Sequence, residues 1–573
     1  MSSTRTPFPV TRPAPRASDA ARTARPVSAE HAGVSDGEHH HGGTHHDAVV
    51  VGGGIAGLTT AATLARAGLD VVLLEKQPVA GGYSDGHDTH GFHWDHGGHI
   101  FLAYRLGGQA REVFKRLGLD EKVVMEPHTH DYRCVLPEDS VAVPADLSAA
   151  AEEFTRRFPH EREGIEAVFL AMEQMVADLD VFVPSFRVQA HPGERRLLDP
   201  VFEQFQRPWV SRALAPAMNA LHLPGATLAK YQGRTLQDLL DEHLVDPTLK
   251  AYFSMLCVGI ASAPSELSAV IAGVFFTHAL RTQWMPRGGF SVLRDALLST
   301  IAEAGGAVVR DAEVTRVLTT DGRATGVRTA DGRTFTADAV VSAGDARRTF
   351  TELLPPLRST AALRRRLPTM ATTPSFFQVQ LGVDMDLEPY RDAVKRLTFV
   401  YPEVDIDASM ARFPAGDVEH AAFYVYVATF HQPEMAPPGM HSIKLECPTR
   451  LASAGIDWER DAERIADVFV RRAEALIPGL PEHVVVRQVR TPADLARDTG
   501  NAEGAFAGWA FSPELLSRER PAQRTPVPGL YLAGHWSQPT AGVPWVMLSG
   551  YNTAGMVIAD RARSRRGAGR TTA

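Results

Sequence analysis

The residues with the clearest chemical meaning are the glycines between positions 52 and 57, where the sequence reads GGGIAG and fits the pattern G-x-G-x-x-G. Gly52 permits a tight turn, and Gly54 has no side chain to keep a phosphate group away from the backbone. Gly57 lets a following helix pack closely against the preceding strand. This spacing predicts a loop that binds the diphosphate of a dinucleotide, although a lone pattern of this kind is weak support.

The segments around these glycines are the ones that such a loop requires. Residues 48–51 form a short β-branched run typical of a buried parallel strand, and residues 55–67 have the apolar spacing of a helix. A second apolar strand is predicted at residues 69–74, and Glu75 follows it. The helix N-terminus offers N–H groups to phosphates, and Glu75 can accept hydrogen bonds from ribose hydroxyls. This order favours dinucleotide binding over a chance glycine turn.

A second glycine pair lies a short loop after Glu75. Gly81 and Gly82 are followed by Tyr83 and Ser84. Such a pair lets another loop close over the diphosphate, and the order G-x-G-x-x-G, Glu, Gly-Gly resembles that of the two-dinucleotide-binding flavoproteins, which bind FAD. An ordinary Gly-Gly turn is the alternative. The pattern therefore predicts FAD as the cofactor.

Two residues further along are candidates for the flavin end of the site. Gly98 has a backbone that could approach a flat ring closely. His99 is the titratable group that we expect nearest to that ring, and a hydrogen-bonded structural histidine is the alternative.

The C-terminal part of the chain contains a second glycine-rich turn. Residues 528–536 predict a strand that ends at a glycine, Gly534, which His535 follows. Gly542 and Val543 come next, and a helix is predicted after them at residues 546–559. A helix N-terminus beside a glycine turn can receive a phosphate or the polar edge of a flavin.

The composition of the chain limits its class. The 573 residues are enough for two or three domains, and the formal net charge of −8 gives no reason to expect nucleic acid as a partner. Cys134, Cys257 and Cys447 are far apart, which argues against a disulfide framework or structural metal site and suits a reducing compartment. No apolar run reaches the length of a transmembrane helix, and no secretory signal is evident. We therefore expect a cytoplasmic protein.

Residues 1–46 are rich in Pro, Ala, Arg, Ser and Gly, so we expect a disordered tail. Its histidines at positions 39–41, 45 and 46 could hold a metal. A solvated polar tail is favoured because nothing fixes their geometry, and no metal site is predicted.

The remaining segments predict an α/β fold, with a Rossmann-like FAD-binding (two-dinucleotide-binding) domain and an α+β substrate domain. The FAD-binding domain is predicted in three parts, at residues 47–125, 285–350 and 501–562. The substrate domain is predicted in two parts, at the largely helical residues 126–284 and at residues 351–500. A short basic tail is expected at residues 563–573.

Residues 267–280, LSAVIAGVFFTHAL, are unusually apolar. This segment is too short to span a bilayer and predicts a buried helix that lines a core or pocket. A membrane-dipping surface helix, which would give peripheral membrane contact, is the alternative. Several aromatic residues could line an apolar tunnel, although most of them are expected in the core: Phe275, Phe276, Trp284, Trp509, Trp536 and Trp545.

Four motifs in a single order resemble those of the phytoene-desaturase-like FAD oxidoreductases, a group that includes bacterial phytoene desaturases, carotenoid isomerases and retinol saturases. The resemblance spans residues 47–560 and is weakest in the helical middle. The motifs are GGGIAG with its acid and glycine pair, MPRGGFSVLRDAL, TPADLARDTGNAEGAFAGW and GLYLAGHWSQPTAGVPWVMLSG.

The resemblance implies roles for individual residues. It implies a backbone contact from Val314 to adenine. Tyr83 stands where related amine oxidases commonly have an arginine, which removes a diphosphate partner and argues against amine oxidation. No second G-x-G-x-x-G is evident, so NADPH is expected only as a transient reductant. The implied cofactor-binding residues are Gly52, Gly54, Gly57, Glu75, Gly81, Gly82, Ser84, Gly98, Val314, Gly534, Gly542 and Val543.

Because that family acts on long conjugated molecules, the resemblance implies hydride exchange between flavin N5 and a lipophilic polyene, in desaturation, saturation or isomerisation. His99 or His535 would move the accompanying proton. One alternative is an NADPH-driven reductive cyclase of a polyene tetramate macrolactam in bacterial natural-product biosynthesis, which the Pro/Ala/Arg-rich termini would suit. Another is a flavin-less prenyl-protein binding protein of the same fold. No oligomeric state is predicted.

Overall fold

The computed structural model describes residues 45–97, 99–104, 108–128, 131–189, 196–205, 207–281, 283–515 and 520–571. The predictions for Gly98 and for residues 1–44 of the tail therefore lie outside the described residues. The first strand begins at His45, inside the segment predicted as tail.

Among the described residues, the first sheet has seven strands, with His45–Val51 near its centre. Residues 48–50 of that strand are completely buried, as expected for a parallel strand covered on both faces. The strands follow in the order Val314–Thr320, Arg323–Thr329, Thr334–Ser342, His45–Val51, Val71–Leu74 and Ala307–Val309, and Leu530–Leu532 pairs in parallel with Thr334–Ser342.

Two details of this sheet differ from the sequence prediction. The strands expected at residues 333–335 and 337–343 form one continuous strand, Thr334–Ser342, because Thr336 pairs with both neighbouring strands. The helix expected at residues 546–559 runs over Val543–Thr571, so the residues predicted as a basic tail continue the helix. Arg561 fastens this part to the sheet by ion pairs with Asp47 and Asp338.

Three helices accompany the first sheet. Ile55–Arg66 packs against both Phe290–Glu303 and Val543–Thr571. Ten of the twelve residues of Ile55–Arg66 are buried, so this helix is an internal part of the layer rather than a surface helix.

The second sheet also has seven strands in the part of the chain that the structure describes. Side chains alternate between its faces. Residues 377, 379, 381 and 383 pack against the helix Trp458–Glu474, and residues 376, 378 and 380 point to the opposite face. The strand order is Val484–Arg490, Ser375–Val383, His441–Thr449, Phe423–Val427, Leu397–Val400, Tyr132–Val135 and Ser140–Val143.

The middle of the chain is helical. Its most apolar helix, Ala269–Ala279, packs against Arg162–Phe182, and ten of its eleven residues are buried. The buried-helix interpretation of residues 267–280 therefore agrees with the structure, and the membrane-dipping alternative is wrong for this segment. The other helices of this part are Leu147–Arg157, Asp199–Phe205, Pro208–Ala220, Ala226–Tyr231, Leu236–His243, Pro247–Phe253 and Cys257–Ile260.

Smaller elements complete the fold. Two antiparallel pairs, Gly86–Thr89 with Phe92–Asp95 and Met125–His128 with Gln283–Pro286, connect the layers. Within the described ranges, no helix is both long enough and apolar enough to cross a bilayer. The remaining α-helices are Gln109–Leu117, Ala346–Arg348, Ala361–Arg366, Ile406–Ala411 and Pro492–Thr499.

Candidate active site

A cavity of about 1110 Å³ lies between the two sheets. One end is formed by the glycine loop that follows His45–Val51, and the opposite wall by strands of the second sheet. The helix Ala269–Ala279 contributes Phe275 and Ala279 to the lining. The cavity thus connects the predicted dinucleotide site with an apolar interior.

The glycine loop has the shape that a bound diphosphate requires. A Cβ atom added to Gly57 would lie 1.9 Å from the carbonyl oxygen of Gly52, so only glycine allows the helix to start this close to the strand. A Cβ atom added to Gly54 would have no neighbour within 4 Å. Gly54 lines the cavity and leaves its backbone open to a ligand.

Two helices begin at this cavity. Ile55–Arg66 starts after Gly54 without a side-chain cap and has no acidic residue in its first turn. Val543–Thr571 starts after Gly542 and also has no acidic residue there. Gly54, Gly542 and Val543 all line the cavity. Because a helix N-terminus carries partial positive charge, both starts favour an anion.

Glu75 holds the glycine loop in place. Its carboxylate accepts hydrogen bonds from the backbone N–H of Gly53, at 2.6 Å, and of Gln77, at 2.8 Å. Burial raises the pKa of Glu75, and these two bonds oppose that shift. A carboxylate has further lone pairs, so Glu75 can still accept from a ribose at the cavity wall.

The second glycine pair closes over the first loop. The N–H of Gly81 donates to the carbonyl of Gly53 at 2.8 Å, and the N–H of Ser84 donates to the carbonyl of Gly81 at 3.0 Å. Gly81, Gly82 and Ser84 line the cavity. Tyr83 turns its hydroxyl to the carbonyls of residues 504 and 505, at 3.2 Å each.

Gly534 belongs to the same wall as the two helix starts. Its N–H donates to the hydroxyl of Ser549 at 3.0 Å, which ties the turn after Leu530–Leu532 to the last helix. Val314 is buried in the core of the first sheet, and Asp311 is the nearby residue that lines the cavity. The predicted adenine contact of Val314 stays a prediction.

The residues of this end fit FAD. They comprise glycines that leave room for a diphosphate, two helix N-termini and a carboxylate that can bind a ribose. The two helix N-termini supply N–H donors, and neither first turn contains a carboxylate that would repel an anion. FAD would be held at its diphosphate by Gly54, Gly81 and Gly82 and at its flavin end by the turn at Gly534 and Gly542.

His535 lines the cavity without a charge. Burial and the nearby guanidinium of Arg520 lower the pKa of His535 to about 3. Its Nε2 has no hydrogen-bond partner among the described residues. The imidazole is therefore neutral near pH 7 and can accept a hydrogen bond from a ligand.

His99 belongs to a buried network on the second sheet. Its Nε2 contacts the carboxylate of Glu446, and the hydroxyl of Tyr424 lies 3.1 Å from the same nitrogen. Its ring packs on Tyr426, with centroids 4.3 Å apart. Lys444 reaches the other carboxylate oxygen of Glu446 at 3.1 Å.

The charges of this network compensate one another. Burial opposes ionisation of Glu446, but Lys444 and His99 outweigh it and lower the pKa of Glu446 to about 2. Burial lowers the pKa of His99 and of Lys444, and Glu446 opposes both shifts. An ionised carboxylate is thus kept in the cavity wall by its cationic partner.

The cavity wall beside His99 contains three residues that the sequence did not indicate: Glu446, Tyr424 and Gln378. The available signal was the presence of Gln378 and Glu446 inside strands whose residues are nearly all buried. A buried polar residue in a sheet needs a partner, but its partners cannot be named until the strand register is known.

The other end of the cavity is apolar. Of the aromatic residues expected there, Phe275 and Trp545 line the cavity. Phe276, Trp509 and Trp536 are buried in the cores, and Trp284 packs partly buried beside the first sheet. The main apolar lining residues are Leu256, Ile260, Phe275, Leu397, Phe399 and Trp545.

A family model described as flavin containing amine oxidoreductase matches residues 55–558. The chain belongs to this family. It is an FAD-dependent oxidoreductase, and the predicted flavin cofactor is confirmed.

Curated relatives support a particular branch of the family. A lycopene-forming phytoene desaturase from a Paracoccus species is 26% identical over 526 residues, which cover 88% of this chain and 96% of the relative. A prolycopene isomerase from an Oncidium hybrid is 26% identical, and the match covers 82% of that relative. A ζ-carotene-forming phytoene desaturase from Myxococcus xanthus is 27% identical and covered to 90%. The predicted resemblance to phytoene-desaturase-like oxidoreductases is confirmed.

Solved structures agree on the fold. An oxidoreductase from Methanosarcina mazei has a TM-score of 0.56 at 18% identity, with 88% of this chain and 98% of that chain covered. Putrescine oxidase bound to putrescine has a TM-score of 0.58 at 14% identity, with coverage of 90% and 100%. The predicted class, a Rossmann-like FAD-binding domain with an α+β substrate domain, is confirmed. None of these relatives is named as a prenyl-protein binding protein.

Gly54→Ala should weaken FAD binding, whereas Gly57→Ala should lower protein stability. Gly54→Ala has space for its methyl group in the protein, so we expect normal apoprotein stability and a roughly tenfold or greater loss of FAD affinity. Gly57→Ala meets the Gly52 carbonyl and should lower the free energy of unfolding by about 2 kcal/mol or more. Denaturant unfolding of the apoproteins and titration with FAD would measure both. Full FAD affinity in Gly54→Ala would contradict the assigned diphosphate site.

His535 should make the protein less stable in mild acid. Its folded pKa of about 3 lies below the ordinary value, so between these values the unfolded chain binds the extra proton. Its contribution is constant above about pH 6.5 and falls towards pH 3. From about pH 7 to about pH 5, the free energy of unfolding should fall more in the wild type than in His535→Gln. The difference between the two losses should be at most about 2 kcal/mol. Denaturant unfolding at both pH values tests this.

The matched control for this measurement is His160→Gln, because His160 is an exposed surface histidine. It should lose as much stability on acidification as the wild type. An equal loss in His535→Gln would show that His535 is not buried in its neutral form.

Proposed function

We propose that the protein exchanges a hydride with a lipophilic conjugated polyene, in a desaturation, saturation or isomerisation. The observation that carries the proposal is the continuity of one cavity from the FAD-binding glycines to a long apolar wall. A polyene needs an apolar pocket with few polar anchors. The names of the curated relatives, phytoene desaturase and prolycopene isomerase, support the same substrate class.

FAD supplies hydride transfer at its N5 atom when it is bound. The chain's own residues have three tasks. The glycine loop and the two helix starts bind and orient the cofactor, and the apolar wall around Phe275 and Phe399 excludes water from the reacting carbons. His99 and His535 are the proposed carriers of the accompanying proton, and both line the cavity.

We also propose NADPH as a transient reductant that reaches the flavin through the substrate side of the cavity. The sequence supports this limited role, because no second G-x-G-x-x-G element is evident. The possible reactions fall into two groups that differ in their need for this reductant. Saturation and reductive cyclisation of a polyene consume reductant, whereas desaturation produces reduced flavin.

Anaerobic flavin spectroscopy should identify the reaction. If the protein saturates or cyclises its substrate, NADPH should bleach the flavin absorbance and a polyene should restore it. If the protein desaturates, a polyene alone should bleach the flavin. Mass analysis of the products separates simple saturation from cyclisation, and bleaching by a simple amine but by no polyene would favour amine oxidation instead. Lack of any flavin response to NADPH and polyenes, together with unchanged polyenes and no isomers in the product analysis, would contradict the proposed function.

Peripheral membrane contact is proposed at a different place from the one that the sequence suggested. The helix Pro208–Ala220 and the turn behind it expose Trp209, Leu214, Leu221 and Leu223. Arg212 is the only Lys, Arg, Asp or Glu between residues 208 and 229. An exposed apolar helix with a Trp and a flanking cation is suited to the interface of an anionic bilayer, where a lipophilic substrate dissolves.

Removal of these side chains should release the protein from lipid. We expect Trp209→Ser/Leu221→Ser to reduce co-sedimentation with phosphatidylcholine–phosphatidylglycerol vesicles roughly tenfold or more, because two large apolar groups no longer enter the interface. Val485→Ser is the matched control, because Val485 is an exposed apolar residue on the second sheet. Equal binding of the double variant and the control would contradict this membrane-contact surface.

A further inference from the structure

A row of polar side chains crosses the cavity face of the second sheet. In the strand register, Gln378 lies between Arg490 on one side and Glu446 on the other, and Glu446 is paired with Tyr424. All four residues are buried, and all four line the cavity. Neighbouring lining residues on the same sheet, such as Phe399, are apolar. The cavity face of this sheet therefore carries a polar stripe beside apolar side chains.

The Glu446 end of this row is satisfied within the protein. Lys444 lies 3.1 Å from one oxygen of Glu446, and Tyr424 and His99 contact the other. Gln378 also donates from Nε2 to Glu446 and, at 3.0 Å, to the carbonyl of His96. The negative charge of Glu446 is thus balanced locally.

At the Arg490 end of the row, some polar atoms lack hydrogen-bond partners among the described residues. The Nη2 atom of Arg490 donates to Asp498 at 2.8 Å, but Nη1 has no hydrogen-bond partner in the described part of the chain, and neither has Oε1 of Gln378. Asp498 is also shared with Arg497, whose Nε lies 3.1 Å from it. A buried guanidinium with a free donor in a cavity is costly unless a ligand or water completes its hydrogen bonds.

The positive potential of Arg490 extends into the cavity. His87 and His96 line the same wall, and Arg490 adds to burial in lowering the pKa of both side chains, that of His87 to about 4. Two uncharged imidazoles and a guanidinium with a free N–H therefore surround this corner. Such a corner is suited to an oxygen anion, since arginine binds carboxylates through charge-assisted hydrogen bonds.

We propose that Arg490 and Gln378 form a subsite for an ionised acidic head group carried by the polyene substrate. The subsite deepens the proposed function and rests on it, because the apolar part of the same ligand would lie along Leu256, Phe275 and Phe399. A pure hydrocarbon has no acceptor for the Arg490 donor, whereas an acidic oxygen group supplies one. The substrate class that matches both walls is a long conjugated chain ending in a carboxylate or a comparably acidic oxygen group.

The subsite can be tested by ligand binding without turnover. The FAD-loaded protein would be titrated by calorimetry with all-trans-retinoic acid and with its methyl ester, which share one polyene chain and differ in charge. We expect the wild type to bind the acid roughly tenfold tighter than the ester. Arg490→Gln should lower the acid affinity to that of the ester and change the ester affinity by no more than about twofold.

Arg487→Gln is the matched control, because Arg487 lies on the same strand and pairs with Glu463 and Asp467 on the helix behind the sheet. It should keep the preference for the acid. Arg490→Lys retains the charge and should keep at least about a third of that preference, which provides a second variant if the glutamine variant does not fold.

Several results would overturn the subsite. They are equal affinity of the wild type for acid and ester, an intact acid preference in Arg490→Gln, or its loss in a folded Arg490→Lys. A lower FAD content in Arg490→Gln together with an intact acid preference would assign Arg490 to the cofactor diphosphate instead. Acid preference without any polyene turnover would support the subsite and contradict only the proposed reaction.

Discussion

The cofactor end of the cavity depends on backbone N–H groups at helix N-termini, which favour an anion. Two such N-termini face the cavity, one after Gly54 and one after Gly542, although they are far apart in sequence. The first sheet brings them together, because Thr334–Ser342 pairs in parallel with both His45–Val51 and Leu530–Leu532. The contact between Gly57 and the Gly52 carbonyl then fixes the first helix close to its strand. Changes that move these strands apart would divide the anion site between two separate surfaces.

A second constraint is the cost of burying charge, which shapes the opposite wall. Glu446 stays ionised inside the protein because Lys444, His99 and Tyr424 surround its carboxylate. Loss of Lys444 would leave an uncompensated charge, and loss of His99 or Tyr424 would remove a hydrogen bond to the carboxylate, so these residues form one unit. The unit also separates the apolar wall from the polar corner at Arg490. A ligand in the cavity would therefore meet two chemically different surfaces on one sheet, and its orientation would follow from that difference.

The cofactor half of the site could be predicted from the sequence because its information is local. Gly54 lies within one strand–helix–strand unit, and Glu75, Gly81 and Gly82 follow it directly, so spacing alone places them around a ligand. The opposite wall has no such local pattern. Arg490, Gln378 and Glu446 become neighbours only through the register of three strands, which sequence periodicity does not give. Thr336 shows a smaller limit of the sequence pattern, because this polar residue predicts a break between two strands. Its pairing with both neighbouring strands shows that the strand is continuous.

The two histidines proposed to carry a proton differ in the charge state that the protein supports. His535 has the cation Arg520 as its neighbour and no acidic partner within the described residues, so protonation would place two positive charges together in a buried site. His99 contacts Glu446, and that carboxylate opposes the lowering of the His99 pKa by burial and by Lys444. A proton moved during hydride transfer needs a group that can hold it without an unpaired buried charge. On this electrostatic ground His99 is the better candidate for the proton carrier, and His535 is better suited to accept a hydrogen bond.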